Sequence, residues 1–191
     1  MLDPVVRLSP QTLSEADRRV VAAWAADCAE RVLGLFEAEA PGDMGPREAI
    51  VRLRAFARGE SSAAEEIRRR FSNGGAARDV SAPAAVAAAR AAGQAAAVPH
   101  MGAHALGAAA YAAKAAGLAA PGRPEAVDEE VRRQLRDMSP DCRGALRKLP
   151  RVGENASGPL GPGLLASGVL GSVIRDLQAG LTHSENTNAW R

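Results

Sequence analysis

Only 3% of the 191 residues are aromatic: two Trp, one Tyr and three Phe. That scarcity excludes a core built from large rings. The interior must instead come from thin helices in close approach, because each buried alanine removes little apolar surface and dispersion contacts carry more of the stabilisation. It also leaves no aromatic platform interleaved with basic residues. Charge is near balance, 24 Lys+Arg against 22 Asp+Glu for a net +2 and a pI near 8.8, which argues against a nucleic-acid partner. Lysine is nearly missing, with Lys114 and Lys148 alone among the basic residues, so the arginine count reflects coding bias rather than a binding role. The two cysteines, Cys28 and Cys142, fit no ligand spacing and predict a reduced, cytoplasmic chain. Long apolar runs are lacking too. Residues Met1 to Arg7 hold no signal-peptide segment, and Arg90, Gln94, Pro99, His100, His104 and Lys114 interrupt the alanine-rich stretch, so the expectation is a soluble protein with no membrane span.

Strands are missing as well, since no stretch alternates with period two for long enough. What remains is helix. Thr12 and Glu15 read as a capping box opening a helix over Leu13 to Glu39, with Val21, Trp24, Cys28, Val32, Leu35 and Phe36 on its inner face. Pro46 starts a second helix to Arg58 that buries Ile50, Leu53 and Ala57, and Ser61 or Ser62 caps a third through Arg70. Phe71 to Gly75 breaks the chain. An alanine helix runs from Ser81 and Pro83 to Val98, where Pro99 forces a kink or a break. Pro124 opens a helix to Met138 with Val127, Val131, Leu135 and Met138 inward, and Ser139-Pro140 caps a short one. After the glycine- and proline-rich Arg151 to Gly163, a last helix spans Leu164 to Leu181, with Gly168 and Gly171 allowing a close neighbour. The predicted architecture is all-α, a single-domain bundle or orthogonal array of about seven to eight helices around an Ala-rich central helix. It occupies residues 1–181, and 182–191 form a polar tail that frays unless Trp190 docks.

Candidate chemistry concentrates after Pro99. The spacing of His100, His104, Gly107, Tyr111 and Lys114 by four, three, four and three places them on one helical stripe. Two imidazoles four apart can share a metal ion, but the helical zinc motif also needs a base glutamate and a third ligand, and Met101 follows His100. The stripe reads otherwise as a polar seam against another helix or as a solvent face. Glu37, Asp43 and Arg47 lie at the junction of the first two helices, where Asp43 can cap and Arg47 can pair with a carboxylate. Arg47, Arg52, Arg54, Arg58 and Arg68 to Arg70 make at most a basic surface. Gly158 to Gly163 lacks the Gly-Lys-Ser/Thr ending of a phosphate cradle. No catalytic residue and no cofactor are assigned.

The helix Trp24 to Glu37, the junction Pro41 to Ile50 and the segment His100 to Lys114 resemble bacterial all-helical proteins labelled putative immunity proteins, over about residues 8–181. The resemblance implies a non-enzymatic protein that binds and neutralises a toxin protein. Partner- or ligand-contacting residues are then His100, His104, Tyr111, Lys114, Glu37, Asp43 and Arg47. The alternative is a small-molecule or metal site, with His100, His104 and Tyr111 on one wall and Glu37 or Asp43 on the other; self-association through small-residue faces fits either. Two departures stand out. Phe71 to Ala77 replaces an expected histidine before Arg78, and Pro99 replaces a small helix former.

Overall fold

The computed structural model describes residues 9–69 and 80–183, all helix, turn and irregular chain with no strand among them. Helix α1, Glu15–Glu37, begins two residues later than the capping box predicts. Its cap is Ser14, whose Oγ accepts from Asp17 N at 3.1 Å. Thr12 is excluded from the helix because Leu13, at φ 62°, turns the chain between them. The predicted face is kept: Val21, Trp24, Cys28, Val32 and Phe36 are buried and Leu35 packs against them.

Helix α2, Gly45–Ala57, has Pro46 in its first turn and buries Ile50, Leu53 and Phe56, the last in place of Ala57. Helix α3, Ala63–Arg69, carries a capping box: Ser62 N donates to Glu65 Oε2 at 2.7 Å and Glu65 N to Ser62 Oγ at 3.3 Å. The predicted break at Phe71 to Gly75 lies outside the described residues.

At Pro99 the alanine block divides into two helices, α4 over Pro83–Ala96 and α5 over His104–Ala119. Proline has no N–H to continue α4. The next free donors, Gly102 N and Ala103 N, turn to the carbonyls of Thr12 and Gln11, both at 3.0 Å. Helix α6 spans Ala126–Arg136, and α7, Pro140–Leu146, is capped by Ser139 Oγ accepting from Cys142 N at 3.2 Å. The predicted last helix is split into a 3₁₀ turn, Leu164–Ala166, and α8, Gly168–His183. The split explains Gly171, where a Cβ would stand 2.3 Å from the Ala166 carbonyl oxygen. It admits the preceding turn rather than another helix. Helix therefore continues into the predicted tail as far as His183, while Trp190 lies outside the described residues.

Helix α5 is the centre. Every residue from Ala105 to Leu106 and on through Ala113 is buried, which is how a helix surrounded on all sides reads. Helices α4, α1, α6 and α8 pack around it, α2 covers α1 and α4, and α7 closes on α1. Arginines seal helix ends: Arg143 donates to Gly180 O at 3.1 Å and Leu135 O at 2.9 Å, and Arg147 Nε to Leu181 O at 2.9 Å. The result is one all-helical domain of eight helices among the described residues. None of these helices is long and apolar enough to cross a membrane.

Candidate functional site

The break at Pro99 decides the histidine stripe. His100 sits exposed on the turn between α4 and α5, off the helix, whereas His104 is the first residue of α5. The four members from His104 to Lys114 do share the rod, but not as a solvent face. His104 is half-buried, with Nδ1 2.8 Å from Gln94 Oε1 on α4. Tyr111 is 3% exposed and meets Arg90 of α4, whose Nη1 donates to its hydroxyl at 3.4 Å and whose guanidinium stands 5.9 Å from the ring centroid. Lys114 is half-buried further along. The seam between α4 and α5 thus consists of two polar pairs, Gln94 with His104 and Arg90 with Tyr111, set in alanine.

Gly107 lies between those pairs because nothing larger fits. A Cβ there would fall 2.3 Å from Gln94 Oε1 and 3.1 Å from Leu165 Cδ1. Gly107→Ala is therefore expected to destabilise by about 1–2 kcal/mol, overpacking outweighing the better helix propensity of alanine. Thermal denaturation checks this, and Gln94→Ala in the same chain should recover part of the loss by removing the obstructing amide.

Glu37, Asp43 and Arg47 form a second group, at the α1–α2 corner. Arg47 donates to Glu37 through Nε at 2.6 Å and Nη2 at 2.7 Å, a fork geometry. That guanidinium holds the Glu37 carboxyl below the usual carboxylate range. Asp43 Oδ1 accepts from Gly45 N at 2.8 Å and so serves the entry of α2, although Met44 is the N-cap residue. Beside them Met44 and Val51 are 49% and 59% exposed, and Arg47, Glu48 and Arg52 complete a shallow depression around them. Among the described residues no three His, Cys, Asp or Glu side chains gather in metal-ligating geometry.

Sequence reasoning missed a third group, inside the protein. Glu130 and Gln134 on α6 are 9% and 0% exposed. Glu130 Oε1 accepts from Arg31 Nε and from Gln134 Nε2, each at 3.0 Å. Gln134 Nε2 also donates to Ala109 O of α5, and Trp24 Nε1 to Gln134 O, both at 3.0 Å. The cluster joins α1, α5 and α6. Its signal was present: Glu130 and Gln134 stand four apart and flank Val131 on the inward face, but charged residues in a polar helix read as solvated. Nearby, burial raises the Cys28 thiol far above its ordinary range and pushes Cys142 up to about 12. Both remain protonated at neutral pH and are poor nucleophiles.

These observations define a class before a family: a helical scaffold whose polar interior is spent on holding helices together, with a small apolar patch left on one corner. Comparison with known families adds the rest. The family model described as Imm-5 like putative immunity protein matches residues 11–141, and the chain belongs to that family. The match spans α1 to the start of α7, shorter than the expected 8–181, so the loop after α7, the 3₁₀ turn and α8 lie beyond it. No curated protein matches this chain. No solved structure matches it either.

Proposed function

We propose that this protein acts without catalysis as an immunity protein in the cytoplasm, binding and neutralising a toxin polypeptide through the α1–α2 corner. Membership of the Imm-5 like family carries the reading. The corner supports it physically: Met44 and Val51 offer apolar contact inside a rim of Glu37, Arg47, Glu48 and Arg52, the arrangement of an apolar centre and polar border that protein interfaces use. The fork between Arg47 and Glu37 fixes the rim in advance, which limits the ordering needed on binding. In this reading Tyr111 shapes the scaffold from within, His104 and Lys114 are half-buried at its edge, and His100 is the exposed member of the stripe.

The test pairs the chain with any polypeptide encoded beside its gene that proves toxic when expressed alone. Co-expression should restore growth, and the two proteins should elute together from gel filtration. Val51→Asp should weaken the complex by at least about tenfold, as for a central interface residue, while leaving the thermal midpoint unchanged. Unaltered affinity in Val51→Asp would move the contact off α2. Lack of protection against the neighbouring toxin would remove the immunity reading itself.

A further inference from the structure

We infer that Gln11 is a latch, a buried side chain that holds the loop 153–161 against the helical body and on which the order of that loop depends. Among the described residues the loop forms no ladder with any neighbour, and Gly153 N closes its base on Leu160 O at 2.7 Å. Its entry is held by the Gln178 amide, which accepts from Val152 N at 3.1 Å and donates to Pro150 O at 2.9 Å. Its far side is held by Gln11, 1% exposed, which accepts from Leu160 N at 2.9 Å and donates to Ser157 O at 2.6 Å. Each primary amide presents a donor and an acceptor to the loop backbone, as an adjacent strand would. The second clamp joins residues that lie 146 and 149 positions apart in sequence.

The loop is shaped to this side chain. Gly158 adopts φ +81°, and a Cβ there would lie 2.8 Å from both the Nε2 and the Oε1 of Gln11. The segment bearing Gln11 is fastened independently. The carbonyls of Gln11 and Thr12 accept from Ala103 and Gly102, and Leu13, strained at φ 62°, packs so closely that a Cβ on Gly102 would fall 2.6 Å from its Cδ1. Because the backbone of this strap is anchored on the α4–α5 turn, removing the Gln11 side chain should free the loop and leave the strap in place. The latch also joins the loop, which lies outside the family match, to the turn that carries His100. Leu160, 0% exposed, anchors the end of the loop in the core, whereas 153–159 are exposed or half-buried, and local opening of such a stretch with the remainder intact is the behaviour expected where a segment has few buried contacts.

Hydrogen exchange of the full chain, read by mass spectrometry, tests the latch. In Gln11→Ala, protection of peptides covering 153–161 should fall at least about tenfold, with α1 and α5 unchanged. Gly158→Ala, which crowds the same amide from the loop side, should give the same pattern and decides the matter if Gln11→Ala does not fold. Unchanged loop protection in the folded variants, or a loss spread equally over α1 and α5, would overturn the inference.

Discussion

Truncating Trp24 to alanine is expected to lower the stability of the fold by about 3–5 kcal/mol, the range for deleting a buried aromatic side chain. Two features place it toward the upper end. The side chain is 4% exposed in a core cluster rich in alanine. Alanine has no rotamer with which to collapse into the space left behind, so the cavity persists. The indole also donates to Gln134 O at 3.0 Å, one of the last carbonyls of α6, which the helix itself cannot satisfy. Trp24→Phe separates the contributions: it keeps most of the volume, loses the donor, and should cost about 1–2 kcal/mol. Chemical denaturation followed by far-ultraviolet circular dichroism gives both values. Equal loss in the two variants would show that the hydrogen bond, not the volume, dominates.

The inner face of α1 was legible because its large residues recur at helical spacing and nothing polar interrupts them. Capping was legible where Ser62 and Ser139 precede helices, and failed at Thr12, since a left-handed Leu13 cannot be read from side-chain type. Pro99 announced a discontinuity, but its form depended on Gly102 and Ala103 finding acceptors in the distant residues Gln11 and Thr12. Such pairing is tertiary and leaves no local trace. The same limit governs the stripe after Pro99. Periodicity placed its members on a common edge, yet in a helix buried on every side an edge carries no information about which neighbour it meets. The pairing of Arg47 with a carboxylate, by contrast, followed from two helix ends joined by a short turn, a geometry that brings opposite charges together with little freedom.

Replacing Glu130 by alanine is expected to cost roughly 3 kcal/mol, as when one member of a buried ion pair is removed. Arg31 would keep Cys28 Sγ at 3.6 Å and Asp137 at 3.8 Å, a long contact with a carboxylate 43% exposed, in place of Glu130 at 3.0 Å. Gln134 Nε2 would retain Ala109 O alone, in a side chain whose Oε1 already has no partner among the described residues. The loss thus comes less from the missing attraction than from polar groups left inside without compensation. That distinction can be measured. Arg31→Met combined with Glu130→Leu removes both charges at similar volume, and the double variant should recover more than half of the loss seen in Glu130→Ala. Denaturation of the singles and the double closes the cycle. Simple additivity would mean that the two charges are independently solvated; strong coupling would establish Glu130 as the point through which α6 is registered on α1. In a core this poor in large side chains, alanine faces can slide past one another with little change in contact, and a directional polar cluster supplies the register that shape alone does not.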